Sequence, residues 1–286
     1  MRDAKAPSGS KVLSGALLGL GMIGTHHARL LQDSSGVRFV GAVDPAGDSR
    51  GLIQNEGLVF PSVEILLERE RPDFAIVATP TEFHLPAVIE LAGAGVNVLV
   101  EKPVAASREE GVELMLAVRD AGLRGAVGHV ERRNPALIEM RSRVQAGQLG
   151  EVFSIRTERV GPFPDRIRDV GVVKDLATHD LDLVRWISGS PIETLSAQTQ
   201  HKMGREHEDL VIINGKLDNG ISFDVVVDWL SPTKVRQTKV LGERGMLVAD
   251  TLTADLTFYE NGIVSCEWGA TQSLRGVSEG DMTRYA

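Results

Sequence analysis

Three side chains of this sequence, Lys102, Asp175 and His179, could together take a proton from a hydroxyl group. Lys102 follows an apolar run that predicts a strand. Asp175 and His179 stand four residues apart in a predicted helix, so both project from one face. An imidazole and an ammonium beside a hydroxyl can withdraw its proton while a hydride leaves the carbon, and a carboxylate can hold the imidazole in one tautomer. Taken singly, the lysine could be merely solvated and the aspartate an N-cap. Which of Lys102 and His179 is the immediate base stays open.

A glycine-rich turn near the start of the chain predicts a binding site for a dinucleotide, which could accept such a hydride. The apolar run Ala16–Leu18 predicts a strand, Gly19-x-Gly21-x-x-Gly24 follows at once, and the next residues predict a helix. In a dinucleotide-binding turn the first glycine allows the tight bend, the second admits the diphosphate and the third packs the helix on the strand. Asp44 ends the next predicted strand, about 20 residues after the last glycine. Its carboxylate would accept hydrogen bonds from both hydroxyls of the adenosine ribose and would repel a 2′-phosphate. The sequence therefore predicts NAD rather than NADP.

Later turns of the same pattern supply the other predicted contacts to NAD. The chain alternates strands and helices as far as Val130, which predicts a doubly wound parallel sheet that binds ligands beyond the carboxyl ends of its strands. His84 could reach the cofactor from such a turn or could simply begin a helix. The predicted cofactor-binding residues are Gly19, Gly21, Met22, Ile23, Gly24, Asp44, Thr79, Pro80, Thr81, His84, Glu101 and Lys102.

The second half of the chain has a different pattern, with many consecutive strand-like runs and few helices. This pattern predicts an α+β domain with a large, mainly antiparallel open sheet. We therefore expect a flexible leader over residues 1–11, a Rossmann domain over 12–134 and a substrate-binding and oligomerisation domain over 135–286. One face of an open sheet needs a cover, and a partner subunit in a homodimer or homotetramer would provide it.

Composition excludes several classes of protein. The 286 residues are 42% hydrophobic and 24% charged, with a formal net charge of −8, whereas a nucleic-acid-binding protein would show a basic stripe. The apolar runs are too short to span a membrane, and the polar leader has no apolar core of a signal peptide. A single cysteine excludes an intrachain disulfide, and the pairs His26–His27 and His201–His207 lack the spacing and the acid cluster of a metal site. We expect a cytoplasmic protein with a small-molecule substrate and no metal.

Two further segments carry candidate substrate-binding groups. The stretch Gly128–Pro135 leaves a strand end with five polar or charged side chains, among them His129 and Glu131. The loop Gly161–Arg168 places Arg166 and Arg168 in an otherwise acidic protein. Guanidinium groups suit bidentate phosphate binding, although a solvated loop would have the same composition. We predict that His129, Glu131, Arg166 and Arg168 bind substrate together with Asp175 and His179.

The chain resembles the glucose–fructose oxidoreductase / inositol dehydrogenase / MocA (Gfo/Idh/MocA) family. The resemblance rests on GLGMIG, on ATPTEFH, on Glu101-Lys102-Pro103 and on the Asp175–Asp180 stretch DLATHD, in this order. It implies a Rossmann domain, an open-sheet domain and the reversible NAD-dependent oxidation of a sugar or cyclitol hydroxyl. It also implies that Lys102, Asp175 and His179 are the catalytic residues.

A narrower resemblance connects GHVERRNP and the segment from Arg159 to Asp182 to UDP-N-acetylglucosamine 3-dehydrogenases, which convert the 3-hydroxyl to a keto group. In that case the arginine loop would clamp the UDP diphosphate. The family continues past the position of Ala286 through a further helix and strands, so the sequence either is truncated or lacks that segment. The alternatives are an inositol or free-sugar dehydrogenase and a non-catalytic NAD sensor. Such sensors lose the lysine or the histidine, and this chain keeps both.

Overall fold

The computed structural model of the chain describes residues 12–164, 170–265, 272–276 and 282–285, with side chains as far as residue 261. The chain divides into two compact units, Met1–Gly128 and His129–Ala286. The predicted leader, residues 1–11, lies outside the described residues. Each unit has hydrophobic core clusters of its own, two in the first unit and one in the second.

The first unit is a six-stranded parallel sheet with helices between its strands, in the order β3-β2-β1-β4-β5-β6. This order confirms the predicted Rossmann fold, because the strand order reverses beside β1. The elements are β1 Leu13–Leu18, α1 Met22–Asp33, β2 Val37–Val43, β3 Val59–Phe60, α2 Val63–Arg69, β4 Phe74–Val77, α3 His84–Gly93, β5 Asn97–Val100, α4 Arg108–Asp120 and β6 Gly125–Val127.

The register of the parallel sheet aligns the carboxyl ends of its strands. Leu18 pairs with both Val43 and Val77, and Val100 pairs with both Val77 and Val127. The residues that follow these ends therefore share one edge of the sheet. This edge carries Gly19, Asp44, Ala78, Glu101 and Gly128.

The second unit is a nine-stranded sheet covered on one face by two helices. Its strand order is β14-β13-β12-β11-β7-β10-β9-β8, with β15 paired to β13. The pair β7–β10 is parallel, whereas the other pairs of described strands in this sheet are antiparallel. The predicted mainly antiparallel sheet is confirmed. The elements are α5 Pro135–Gln145, β7 Val152–Pro162, α6 Thr178–Ser188, β8 Ile192–Gln200, β9 Leu210–Leu217, β10 Ser222–Asp228, β11 Leu230–Gly242, β12 Gly245–Asp250, β13 Asp255–Ser265, β14 Gln272–Gly276 and β15 Met282–Tyr285.

Alternation along the strands explains which face the helices cover. In β10, Phe223, Val225 and Val227 are buried, and they belong to one core cluster with Leu137 of α5 and Leu183 of α6. The side chains between them point to the other face of the sheet. No helix in the described part of the chain combines the length and apolar character needed to cross a membrane.

Candidate active site

The glycine turn of the first unit has the geometry that its three glycines predict. Gly19 has a φ of +92°, and a Cβ there would lie 2.6 Å from the carbonyl oxygen of Ala78. A Cβ on Gly24 would collide with the carbonyl oxygen of Gly19, so only glycine lets α1 lie this close to the end of β1. Gly21 faces open space, with no atom within 4 Å of an added Cβ. The turn is tight at its two ends and open in its middle, as the passage of a diphosphate requires.

A cavity of about 550 Å³ in the first unit opens beside this turn. Five of the predicted cofactor-binding residues line it, namely Gly19, Gly21, Asp44, Thr79 and Pro80. The start of α1 has no side-chain cap and no acidic residue in its first turn, so its N–H groups can bind an anion. These residues fit the diphosphate and the adenosine ribose of NAD.

Asp44 is held in place by the turn itself. Its Oδ2 accepts a hydrogen bond from the Leu20 N–H at 2.9 Å, and its Oδ1 accepts one from the Ala46 N–H at 2.9 Å. Each carboxylate oxygen keeps a lone pair for a further donor. The fixed carboxylate can therefore accept hydrogen bonds from ribose hydroxyl groups.

His84 is buried below the loop that follows β4. Its ring nitrogens lie 2.9 Å from the Thr79 carbonyl oxygen and 3.3 Å from that of Val104, and the side chain is 1% exposed. The ring thus connects two loops at the edge of the sheet. Direct contact of His84 with the cofactor stays a prediction, as it does for Met22 and Ile23 on the exposed first turn of α1 and for Thr81 in a short 3₁₀ turn.

Glu101 makes a contact that sequence reasoning missed. Its Oε1 lies 2.7 Å from Nε2 of His27 on α1, and an ionised carboxylate can only accept, so the imidazole donates. Burial acts to raise the pKa of Glu101, but the hydrogen bond and charge of His27 bring it below its usual value. A Cβ on Gly128 would lie 2.5 Å from this carboxylate, so a larger residue there would displace the Glu101 side chain. The pair joins α1 to the residue before Lys102, which is half-buried past the end of β5.

In the second unit, Asp175 and His179 lie where a wide helical turn becomes α6. Val173–Ala177 form a π-helical turn, and Thr178–Ser188 continue as α6, so the predicted helix is present with an irregular start. The backbone N–H of Val173 donates to Oε1 of Glu208 at 3.0 Å, which fixes this start. Such turns are frequent at functional sites. Asp175 and His179 are both half-buried, and their catalytic role stays a prediction.

A buried ion-pair network lies beside this turn in the same unit. Nε of Arg159 donates to Asp180 at 2.6 Å, and its Nη1 donates to Glu131 at 2.8 Å. Burial acts to lower the pKa of Arg159, but the charges of Asp180 and Glu131 raise it overall. Burial acts to raise the pKa of Glu131, yet Arg159, and after it the charge of His179, lower it. Glu131 is thus ionised and held by Arg159.

Of the other predicted substrate-binding residues, the structure describes His129 but not the two arginines. His129 lies 3.4 Å from Asp182 through Nδ1, and the same carboxylate forms a two-fold pair with the guanidinium of Arg132. Arg166 and Arg168 lie outside the described residues. Sequence reasoning missed Arg159 and Asp180. The only signals were an arginine in an alternating strand and an aspartate next to His179.

Comparison with protein families gives two matches that together cover most of the chain. The oxidoreductase family with an NAD-binding Rossmann fold (GFO_IDH_MocA) matches residues 13–129. The GFO/IDH/MocA C-terminal domain matches residues 137–248.

Inositol dehydrogenases and nucleotide-sugar dehydrogenases both occur among the relatives. Inositol 2-dehydrogenase 2 of Saccharopolyspora erythraea is 28% identical over 74% of this chain, and the match spans 65% of that protein's length, just under two thirds. UDP-N-acetylglucosamine 3-dehydrogenase of Acidithiobacillus ferrooxidans is 29% identical over 86% of this chain and 76% of its own. The WlbA dehydrogenase of Bordetella pertussis, solved with NADH and UDP-GlcNAcA, superposes with a TM-score of 0.75 and 25% identity, over 85% of this chain and 75% of that one.

Proposed function

Because the chain belongs to the Gfo/Idh/MocA family of NAD-binding oxidoreductases, we propose that it oxidises a secondary hydroxyl of a nucleotide sugar to a keto group. The 3-hydroxyl of UDP-N-acetylglucosamine is the specific candidate. The observation that carries the proposal is the combination of a cavity lined by Gly19, Gly21 and Asp44 with a lysine, an aspartate and a histidine that match the catalytic residues which the family resemblance implies.

The chain's own residues would divide the work between binding and proton transfer. The N–H groups at the start of α1 would hold the NAD diphosphate, and Asp44 would hold the adenosine ribose. Bound NAD would supply the acceptor of the hydride. Lys102 and His179 would move the hydroxyl proton, and Asp175 would orient the imidazole of His179 and stabilise its charged form.

The choice of a nucleotide sugar over a free polyol depends on relatives. The WlbA dehydrogenase solved with UDP-GlcNAcA favours the nucleotide sugar. An inositol dehydrogenase matches this chain almost as well as the UDP-N-acetylglucosamine 3-dehydrogenase does, at the same 29% identity and with nearly the same coverage of both chains. An inositol or free-sugar dehydrogenase is therefore the second candidate. A non-catalytic NAD sensor is the third, and the presence of both Lys102 and His179 argues against it.

A panel of substrates separates these candidates. The purified chain would be mixed with NAD and, in turn, with UDP-N-acetylglucosamine, N-acetylglucosamine, glucose and myo-inositol, while NADH absorbance is followed. We expect NADH to form with the UDP-sugar. Lys102→Ala should lower the rate at least about 100-fold, because a proton-transfer group usually contributes that much. Lys202→Ala, at an exposed control lysine, should leave the rate unchanged. If only myo-inositol is turned over, the protein is an inositol dehydrogenase and the nucleotide-sugar assignment is wrong. NAD binding without turnover of any substrate would favour the non-catalytic sensor.

We also propose that the chain forms a homo-oligomer through the face of the second sheet that α5 and α6 leave open. Leu241 of β11 pairs with Met246 of β12, which pairs with Tyr259 of β13. Leu241 and Tyr259 are each 39% exposed, so an apolar row crosses three strands. Light scattering should give a dimer or tetramer, and Leu241→Lys should shift it toward the monomer. A monomer at all concentrations would contradict the proposal.

A further inference from the structure

A second cavity, of about 400 Å³, lies in the second unit, and four of the nine residues that line it are basic. Arg133 comes from the turn before α5, Lys234 and Arg236 come from β11, and Arg159 comes from β7. Residues two apart in a strand project from the same face, so Lys234 and Arg236 point the same way. Glu131 is the one acidic residue among those that line it.

The positive charge of this cavity is only partly neutralised. Glu131 and the buried Asp180 both bind Arg159. Arg133 and Lys234 have no acidic partner within ion-pair distance among the described residues. Arg236 donates through Nη1 to the carbonyl oxygens of Val160 and Val235, at 2.6 and 2.7 Å. Its Nε and Nη2 donors have no acceptor in the part of the chain that the structure describes.

The arrangement destabilises the charged form of Arg236. Burial lowers the pKa of its guanidinium, and the neighbouring charge of Arg159 lowers it further. Two arginines close together inside a half-buried cavity repel each other. The net charge of the chain is −8, so its overall composition does not explain a local cluster of basic side chains. A bound anion would offset the repulsion and use the remaining donors.

We propose that Arg133, Lys234 and Arg236 bind the diphosphate of a nucleotide-sugar substrate. Two neighbouring phosphate groups offer acceptors to three cations, and a guanidinium can bind phosphate through two parallel hydrogen bonds. The volume falls within the range of small-molecule sites. This inference rests on the proposed function, and it assigns the diphosphate to residues other than Arg166 and Arg168.

A hydrogen bond links this cavity to α6, which carries His179, because Arg159 lines the cavity and donates to Asp180, the residue after His179. The charge of His179 acts on Glu131, which lines the cavity. The charge of Asp175 acts on Arg236. A diphosphate bound by Arg236 would therefore keep the attached sugar near Asp175 and His179, whereas a free polyol would leave the three cations without a partner.

Binding of UDP, measured by titration calorimetry in the absence of NAD, tests the inference without any turnover. We expect Lys234→Gln and Arg133→Gln, two exposed positions that can change without loss of folding, each to raise the Kd of UDP about tenfold or more, as loss of a charge-assisted hydrogen bond does. Arg236→Gln should do the same. Arg156→Gln, which removes an exposed arginine paired to Asp224, is the matched control and should leave the Kd unchanged.

Kinetics and a second ligand complete the test. In the variants the KM for UDP-N-acetylglucosamine should rise with little change in kcat, and the Kd of NAD should stay the same. Turnover of the UDP-sugar with unchanged KM and unchanged UDP binding in all three variants would overturn this inference and leave the proposed function intact. UDP binding that the variants lose, without turnover, would support the inference and contradict the function. Binding of glucuronate but not UDP would overturn the diphosphate assignment.

Discussion

At the scale of single residues, the two arginine–aspartate pairs of the second unit differ in burial and should differ in energy. The Arg159 and Asp180 side chains are 7% and 1% exposed, whereas those of Arg156 and Asp224 are 64% and 31% exposed. Removing one partner of a buried pair leaves a charge without compensation, whereas exposed pairs are screened by water.

We therefore predict that Asp180→Asn lowers the free energy of unfolding of the second unit by about 3 kcal/mol. Asp224→Asn is the matched control and should cost less than about 1 kcal/mol. Urea unfolding followed by tryptophan fluorescence measures both. Equal small losses in the two variants would mean that the buried network does not stabilise the unit.

The pair of His27 and Glu101 gives a prediction about pH. Because the pKa of folded Glu101 lies below the usual value of 4.5, its ionised form stabilises the first unit above that pH, and this contribution is lost as pH falls through the folded pKa. Glu101→Gln should cost about 1–2 kcal/mol at pH 7, and the difference from wild type should shrink as pH approaches 4 and below. A difference that is constant with pH in urea unfolding would contradict this role.

Residue pairs such as these were the part of the site that the sequence could not supply. The types and spacing of Lys102, Asp175 and His179 were visible in the sequence, because each belongs to a short local pattern. The partners of Glu101 and Asp180 were not visible, because His27 is 74 residues away from Glu101 and Arg159 is 21 residues away from Asp180. Only the folded sheets bring these groups into contact.

At the scale of elements, one glycine of the turn is needed for helix packing and another lies beside the predicted binding cavity. Gly21 has a φ of −69° and Gly24 lies inside α1, so an alanine is conformationally allowed at both. A Cβ on Gly24 meets the backbone of Gly19, which cannot move away cheaply, whereas a Cβ on Gly21 meets only open space beside the cavity.

We predict that Gly24→Ala lowers both the stability of the first unit, by about 2 kcal/mol or more as overpacking does, and NAD binding. Gly21→Ala should leave the unfolding midpoint unchanged and raise the Kd of NAD. Calorimetric unfolding and NAD titration of both variants make the comparison. If Gly21→Ala binds NAD as tightly as wild type, the diphosphate does not pass over this turn.

The elements themselves were largely predictable. Continuous apolar runs such as Ala16–Leu18 predicted buried parallel strands, because such strands are covered on both faces. Many consecutive strand-like runs with few helices between them predicted the antiparallel sheet of the second half. The π-helical turn at Val173–Ala177 was not predictable. Its sequence has an ordinary helical pattern, and a contact from Glu208 holds its first residues.

At the scale of the whole molecule, the two units have separate hydrophobic cores, and their unfolding can be followed by different signals. One core cluster lies entirely within residues 129–286 and the other two lie within the first unit. All three tryptophans, Trp186, Trp229 and Trp268, belong to the second unit by sequence. A ligand that binds one folded unit stabilises that unit by mass action.

We expect two unfolding transitions in calorimetry, of which NAD raises only one. At 100 times its Kd, NAD should stabilise the first unit by about 2.7 kcal/mol. Tryptophan fluorescence should follow the other transition and show no shift with NAD. A single transition that NAD shifts equally in calorimetry and in fluorescence would show that the units unfold together.

The measurement that tests the central claim most directly is the fate of UDP-N-acetylglucosamine in the presence of NAD and the purified chain. NADH is followed by absorbance, and the nucleotide sugar is recovered for mass spectrometry. We predict one NADH for each product molecule, with the product lacking two hydrogens and keeping its diphosphate. Intact UDP-sugar recovered from a protein that binds NAD, with NADH formed from myo-inositol instead, would contradict the claim.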